Sequence, residues 1–220
     1  MSLKRRFAEM TKHLCTDQQP SIYLKSLLDA GSLEDYPFNM LGALDKTPQS
    51  PIHHPEGNVW NHTCLVVDEA AKVRDKSSHP TAFMWAALLH DIGKPGTTRK
   101  RRGKITSYDH DKTGMDLAIE FLRALTDDEV LIHQVARLVR YHMQPLFVQK
   151  DMPFADMEAM KRDIDVEEVA LLSYCDRMGR LHSDAETERS HTKAFLNKCR
   201  IDRSKRGPVS KREPQSPRSF

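Results

Sequence analysis

The 220-residue sequence lacks any long hydrophobic run. No stretch approaches the roughly 20 apolar residues that a membrane-spanning helix needs. The N-terminal sequence MSLKRRFAEM also has no apolar core of the kind found in signal peptides. We therefore expect no membrane association and a cytoplasmic location.

Cysteine is scarce, and neither sign of charge dominates. The four cysteines lie far apart without a CxxC pair, so in a chain without a secretion signal we expect reduced thiols. The 34 basic and 31 acidic residues leave a net charge of only +3. With 39% hydrophobic residues, the chain can bury a sizeable core, most simply as one domain.

Alternating, strand-like patterns are also rare. The best of them, KITSY at 104–108, predicts at most one edge of a small hairpin. Apolar residues three and four positions apart instead predict an all-α fold. Residues 36–61 contain four prolines and are predicted to be mostly loop. The predicted helices span residues 21–30, 62–74, 81–90, 113–124, 127–141 and 166–178.

The C-terminal residues differ in composition from the rest. From Lys198 onward, eight basic residues face only two acidic ones, with three prolines and little apolar material. This composition cannot bury a core, so residues 201–220 are predicted to be a disordered basic tail. A weak electrostatic contact with nucleic acid is the alternative to a simple solvated terminus.

Histidine and aspartate recur within or at the ends of the predicted helices. In LLHDIGKP an apolar helix ends in an adjacent histidine and aspartate. One histidine on an apolar face is usually a hydrogen-bonded core residue, but a buried, unpaired aspartate needs a cation or hydrogen bonds to compensate it. A metal ion would compensate several such groups at once. The candidate ligands are His62, His90, Asp91, His110, His142 and Asp176.

The order of these residues resembles the H…HD…D signature of the HD-domain metal-dependent phosphohydrolase superfamily. The matching segments are NHTCLVVD, LLHDIGKP and CDRMGR. The sequence is still more similar to the HD domain of bacterial CCA-adding tRNA nucleotidyltransferases, through TPQSPIHHPEGNVWNHTCLVVDEAA, HDIGKPGTT, GKITSYDHDKTG and VRYHMQP. The resemblance implies an HD-domain helical bundle over residues 36–200, preceded by an N-terminal helical segment, 1–35.

One part of those tRNA enzymes has no counterpart in this sequence. Nothing resembles the Gly-Ser turn and paired aspartates of the nucleotidyltransferase head, and only about sixty residues precede His62. We therefore do not expect CCA addition from this chain, and only the hydrolase part of the resemblance carries over.

The resemblance also assigns roles to the candidate ligands. His62, His90, Asp91 and Asp176 would hold a primary ion, and His110 and His142 would hold a second ion bridged by Asp91. One ion or two is left open, since the last two histidines could instead bind substrate phosphate or shape the pocket. Mixed imidazole and carboxylate ligands suit a divalent transition metal: Mn, Fe, Co, Ni or Zn.

Phosphate binding needs positive charge beside the metal. Lys94 is the best candidate, because Gly93 would permit a sharp turn that aims it back at the site. With Asp91 it is assigned a catalytic role. The basic run 99–104 is predicted to be a solvated loop, with an RNA or nucleotide clamp as the alternative. The candidate substrate-binding residues are Lys94, Thr98, Arg140 and Arg180.

These features predict a metal-dependent phosphohydrolase, either phosphodiesterase or phosphatase, that acts on nucleotides or nucleotide-ended RNA. The tRNA-linked resemblance points to 2′,3′-cyclic phosphates, and 5′-nucleotidase or alarmone hydrolysis are further options. The alternative is a metal-stabilised helical module that binds RNA or a protein without catalysis. The sequence does not indicate the oligomeric state.

Overall fold

The computed structural model describes residues 2–204, with side chains described through residue 200. It confirms the predicted all-α fold, in which helices surround one core and the only sheet of the described residues is a small hairpin. The elements are α1 (Leu3–Thr16), α2 (Pro20–Asp29), α3 (Asn39–Asp45), α4 (Val59–Ala71), a 3-10 turn (Arg74–Lys76), α5 (Pro80–Leu89), α6 (Lys94–Thr97), β1 (Thr98–Arg101), β2 (Lys104–Ser107), α7 (His110–Arg123), α8 (Glu129–Tyr141), α9 (Gln144–Gln149), α10 (Met157–Asp163), α11 (Val166–Met178) and α12 (Ala185–Ser204).

Helix α5 forms the centre of the core. Its sequence PTAFMWAALL is apolar around the whole circumference, and every residue from Ala82 to Leu89 is buried. A helix of this kind needs apolar partners on all sides. Helices α1, α4, α8 and α11 supply them. The pair His90–Asp91 follows α5 directly and is thereby placed in the interior.

The N-terminal segment packs onto this core. Met10 and Leu14 of α1 are buried, and Phe7 stacks on Trp85 with ring centroids 5.1 Å apart. The Trp85 indole also donates a 3.0 Å hydrogen bond to the Thr11 hydroxyl. Burial of these apolar groups, at about 25 cal/mol per Å², ties α1 to the central helix.

The predicted loop over residues 36–61 is partly wrong. It contains α3, whose Leu41 and Leu44 are buried, because packing against α4 stabilises a helix too short to form alone. Helix α4 also begins at Val59 rather than at residue 62. The Asn58 side chain accepts a hydrogen bond from the Asn61 amide and caps this helix.

The basic run 99–104 is a hairpin rather than the predicted solvated loop. KITS, within the predicted edge 104–108, forms β2 and pairs antiparallel with β1, so that prediction is confirmed. Arg102 and Gly103 form the tip, and both have positive φ angles, as a tight hairpin turn requires.

At the C-terminus, α12 continues through Ser204, so the first four residues of the predicted disordered tail are helical. The rest of that prediction, for residues 205–220, lies outside the described residues. Within residues 2–204, no helix has both the length and the apolar character needed to cross a membrane.

Gly93 is needed for close packing and not for a special turn. Its φ of −78° and ψ of −15° are ordinary helical values, which corrects the expectation of a glycine-dependent sharp turn. A Cβ at this position would lie 2.1 Å from the His110 carbonyl oxygen and 2.7 Å from the Gly114 amide nitrogen. Because Gly93 has no side chain, α7 can pack closely against the segment that follows α5. This packing brings His110 close to Asp91.

We expect Gly93→Ala to lower the free energy of unfolding by about 1–3 kcal/mol, since backbone atoms must move to admit the methyl group. Gly96→Ala is the matched control, because its Cβ would meet no atom within 4 Å. Denaturant unfolding of both variants measures the difference. Equal stabilities would show that the close approach of α7 is not a constraint.

Candidate metal centre

Six buried side chains from five parts of the chain converge at one end of α5. His62 lies in α4, His90 and Asp91 follow α5, and His110 is the first residue of α7. His142 follows α8, and Asp176 lies in the last turn of α11. The structure thus brings together all six candidate ligands that the sequence predicted, and each is at most 7% exposed.

Asp91 lies at the centre of the cluster. Its Oδ2 atom is 3.2 Å from His90 Nε2. Its Oδ1 atom is 3.5 Å from His110 Nε2 and 4.0 Å from His142 Nε2. His62 and His90 form one group with Asp91 whose ligand atoms all lie within 4.8 Å of one another, and His110 and His142 form a second. The two oxygens of one carboxylate therefore face two groups of imidazoles.

The ring orientation of three histidines is set by their own backbone. His90 and His142 place Nδ1 2.9 Å and 2.6 Å from the carbonyl oxygens of Ala87 and Val139. His110 does the same at 2.7 Å with the carbonyl oxygen of Ser107, three residues earlier. A neutral imidazole that donates from Nδ1 carries its lone pair on Nε2, and all three Nε2 atoms point into the cluster.

The spacing of these Nε2 atoms matches that of two ligands on one metal ion better than that of a hydrogen-bonded pair. Nε2 of His110 and Nε2 of His142 lie 3.3 Å apart, although each bears a lone pair when Nδ1 is the donor. Two imidazole nitrogens bound tetrahedrally to one ion at about 2.0–2.1 Å are about 3.3 Å apart. Nε2 of His90 is buried, and its 3.2 Å contact with Asp91 Oδ2 does not have the geometry of a hydrogen bond. The donor set is thus compatible with a divalent metal ion.

On the other side of the cluster, His62 joins two carboxylates. Its Nε2 atom lies 2.9 Å from Asp176 Oδ1, and its Nδ1 atom lies 2.8 Å from Glu56 Oε1. The same Glu56 oxygen is 2.9 Å from His54 Nδ1. The Glu56 side chain is only 2% exposed. Glu56 thus orients His62 as a carboxylate partner behind a metal ligand does.

Burial keeps two of the imidazoles neutral. It lowers the pKa of His142 to about 3, and the nearby rings of His110 and His90 act in the same direction. Burial also lowers the pKa of His110, against the opposing effect of the Asp91 carboxylate. The neutral ring is the form that binds a metal, so these two residues are ready to coordinate at neutral pH.

The carboxylates of the cluster are ionised. Burial acts to raise the pKa of Asp91, but His90 and Lys94 outweigh it and hold that pKa well below its usual range. The same balance at Asp176, where Arg180 is the main opposing charge, also keeps the pKa well below the usual range. The cluster therefore places anionic carboxylate oxygens beside the neutral imidazoles of His110 and His142.

Three cations lie beside the carboxylates. Lys94 Nζ is 2.6 Å from Asp91 Oδ2 and 2.6 Å from Gln49 Oε1. An Arg180 guanidinium nitrogen lies 3.5 Å from Asp176 Oδ2. Arg140 pairs with the buried Asp111 at 2.5 Å. A phosphate that approaches the cluster would meet all three cations.

The cluster opens into a cavity of about 510 Å³. Asp91, His110, His142 and Asp176 line its inner end, together with the three cations. Its outer part is mostly apolar and includes two exposed aromatic rings, Tyr108 at 76% and Phe154 at 53%. The cavity is within the usual size range for small-ligand sites.

Thr98 is placed differently from the other candidate substrate-binding residues. Its hydroxyl donates to the Lys94 carbonyl at 2.7 Å and lies 2.8 Å from the Ser107 hydroxyl. It does not line the cavity, as far as the described residues form it. The structure thus gives Thr98 a local role in holding the hairpin to α6.

Sequence reasoning missed three residues of the site. Glu56, Gln49 and Asp111 hold His62, Lys94 and Arg140, respectively. Glu56 and Gln49 lie in the proline-rich segment before α4, inside the stretch that carried the tRNA-enzyme resemblance. No periodicity marks them, because each acts through a partner that only the fold brings near.

We expect Glu56→Ala to weaken metal affinity by about 10–100-fold, because His62 loses the carboxylate that orients its ring. Glu120→Ala on the exposed side of α7 is the matched control. Titration with Mn²⁺ or Co²⁺ under calorimetry measures both affinities. Unchanged affinity in the Glu56 variant would exclude this supporting role.

Comparison with known proteins agrees with the geometry. The HD domain family matches residues 59–181. The Multifunctional CCA protein of Actinobacillus pleuropneumoniae serotype 5b is 38% identical over 100 residues, which are 46% of this chain and 24% of that protein. That of Methylococcus capsulatus is 27% identical over 218 residues, which are 97% of this chain and 44% of that protein.

This chain therefore spans about a quarter to under half of the length of these relatives. The family match itself covers more than half of the chain, from α4 through α11. It includes each of the six buried ligand candidates. The chain belongs to the HD-domain family, and this membership supports a function of the metal-dependent phosphohydrolase type.

Proposed function

We propose that this chain hydrolyses phosphate esters of nucleotides and that 2′,3′-cyclic nucleotides are among its substrates. One observation carries the proposal: a single cavity joins the histidine–aspartate cluster, three cations and an apolar wall with exposed aromatic rings. A nucleotide has groups in a matching order. Its anionic phosphate would lie at the cluster and the cations, and its flat base would lie at the aromatic wall, with the ribose between them.

The metal-binding roles follow from the two groups of ligand atoms. His62, His90, Asp91 and Asp176 would hold one ion, and His110 and His142 would hold a second that shares Asp91. A bound divalent cation supplies an acidified water as nucleophile and polarises a phosphoryl oxygen. Mn, Fe, Co, Ni and Zn all suit this mixture of imidazole and carboxylate donors.

Lys94 would stabilise charge on the phosphoryl group. Its ammonium lies against Asp91 at the inner end of the cavity, and its side chain is only 12% exposed. In such a partly desolvated site, a fixed cation stabilises a developing negative charge more strongly than it would in water. Gln49 holds the ammonium in place from the opposite side.

Arg140 and Arg180 would bind the non-bridging phosphate oxygens at the cavity wall. Both are positioned by carboxylates, Asp111 and Asp176, which reduces the freedom that each guanidinium loses when it binds an anion. Planar guanidinium groups match the geometry of phosphate oxygens in pairs. Orientation of the phosphate toward the inner end of the cavity follows from these contacts.

The outer wall would hold the base. Phe147 and Phe154 pack edge to face with centroids 4.7 Å apart, and Tyr108 is exposed at the rim beside β2. Stacking of a base on an aromatic ring contributes about 1–3 kcal/mol and accepts any base. This wall supports a nucleotide substrate without selecting one nucleobase.

The names of the relatives agree with a nucleotide-containing substrate, since they refer to the CCA sequence. CCA addition itself is not part of the proposal, because the nucleotidyltransferase signature is not recognised in this sequence. The side chains that hydrolysis would use all belong to the cavity or to the cluster at its inner end.

The test is a substrate panel measured with purified protein and added Mn²⁺, Co²⁺ or Ni²⁺. The panel contains bis-p-nitrophenyl phosphate, 2′,3′-cyclic nucleotides, and 2′-, 3′- and 5′-nucleoside monophosphates. Turnover that requires metal and is lost with EDTA supports the proposal, and preference for the cyclic esters supports its finer part. Bound metal without turnover of any ester would instead favour the non-catalytic binding module.

A further inference from the structure

The β1–β2 hairpin, residues 98–107, carries five exposed cations, and we call it the basic hairpin. Within residues 2–200, none of the five lies within ion-pair distance of a carboxylate. Some exposed cations elsewhere, such as Lys4 and Lys112, have carboxylate partners. The hairpin is therefore a patch of uncompensated positive charge. Its cations are Arg99, Lys100, Arg101, Arg102 and Lys104.

The register of the strands places three of these cations on one face. Arg99 is paired with Thr106, and Arg101 is paired with Lys104. Residues directly opposite in an antiparallel pair, and residues two apart in a strand, point to the same side. Arg99, Arg101, Lys104 and Thr106 therefore share a face, on which successive side chains are roughly 7 Å apart along each strand.

This face is continuous with the cavity. Thr106 lines the cavity from this face, Ile105 and Ser107 line it from the opposite face of the strand, and Tyr108 directly after the strand lines it as well. The next residues lead to His110 in the metal centre. A ligand that fills the cavity and extends outward past Tyr108 would run onto the basic hairpin.

We propose that the basic hairpin binds the sugar-phosphate backbone of single-stranded RNA whose 3′ end occupies the cavity. This inference rests on the proposed function. A free nucleotide would use only the three cations inside the cavity, whereas a strand with further phosphates gives the hairpin cations anionic partners. RNA rather than DNA follows from the ester, because a 2′,3′-cyclic phosphate needs the 2′ oxygen of ribose.

The binding test uses a fluorescent 12-nucleotide single-stranded RNA with a 3′-hydroxyl end and measures anisotropy across a range of salt concentrations. In the variant R99Q/R101Q/K104Q, which removes the three cations of the shared face, we expect at least about tenfold weaker binding. The slope of log affinity against log salt should fall in magnitude by about 2, since each lost phosphate contact on a single strand contributes about 0.7.

A second variant, R5Q/K12Q/K25Q, removes the same charge from exposed positions of α1 and α2. It should leave both the RNA affinity and the salt slope unchanged. An equal loss in both triple variants would show a response to net charge alone and would overturn the inference.

Hydrolysis separates this inference from the proposed function. The hairpin variant should turn over 2′,3′-cyclic mononucleotides at the wild-type rate, but lose about tenfold or more in kcat/KM on RNA that ends in a 2′,3′-cyclic phosphate. Equal kcat/KM values of wild type and variant on the RNA would overturn the inference and leave nucleotide hydrolysis standing. Salt-sensitive, hairpin-dependent RNA binding without hydrolysis of any ester would support the hairpin surface and remove the proposed function.

Discussion

Asp91→Asn is expected to abolish metal-dependent hydrolysis, with a loss of at least about 1000-fold in kcat/KM. Asp91 is the carboxylate shared by both groups of imidazoles, with one oxygen toward His90 and the other toward His110. Loss of its charge would remove an anionic ligand from both proposed ion positions. Metal catalysis contributes several kcal/mol to transition-state stabilisation, and about 4 kcal/mol corresponds to about 1000-fold.

Two measurements check this prediction on the same sample. Elemental analysis should show a fall in bound metal, and the ester panel should show the loss of turnover. Asp116→Asn, on the exposed side of α7, is the control and should behave as wild type. Asparagine preserves the shape of the side chain, so the thermal unfolding of the metal-free variant should remain cooperative. Turnover within a few-fold of wild type would contradict a central role for Asp91.

His142→Ala should reduce the metal content from two ions per chain to one and lower kcat by about 100-fold. The buried ring of His142 has its Nδ1 atom held by the Val139 carbonyl oxygen, and its Nε2 atom faces His110 Nε2 at 3.3 Å. Burial and the neighbouring rings lower its pKa to about 3, so the residue presents a neutral nitrogen that points only into the cluster. A ligand role explains this arrangement, whereas proton transfer near neutral pH does not.

The same helix offers a matched control. His133 lies on α8 with a half-exposed side chain near Glu129, and His133→Ala should change neither metal content nor kcat. Metal per chain is measured after equilibration with excess Mn²⁺ and removal of the unbound ion. Two ions retained in the His142 variant would contradict the two-ion assignment. A wild-type content of one ion would restrict the centre to His62, His90, Asp91 and Asp176.

The helices that could be predicted from the sequence are those whose buried apolar residues recur at helical spacing. Helix α11 was predicted over its observed span, Val166–Met178, because its apolar residues recur at helical spacing. Helix α3 was missed among prolines, since its stability comes from packing of Leu41 and Leu44 rather than from a long periodic stretch. The cap at Asn58 likewise places the start of α4 before the first residue that the pattern marked.

At the candidate metal centre, some residues were likewise predictable from the sequence and others were not. The residue types, their order and the resemblance to the HD signature selected His62, His90, Asp91, His110, His142 and Asp176 as candidate ligands. The partners that hold them were not predictable. Glu56 reaches His62 from a loop without regular pattern, and the reason for Gly93 is a backbone contact with α7 that no local preference reveals.

By itself, the sequence determined the helical class of the fold, the membership in the HD-domain family and the chemical identity of the candidate ligands. Composition, periodicity and motif order carry this information along the chain. Only the tertiary structure decided which atoms meet. Asp176 comes to His62 across 114 residues, and His142 comes to His110 across 32. Such distances depend on how helices pack in three dimensions, and they turn separate polar residues into one centre that opens into one cavity.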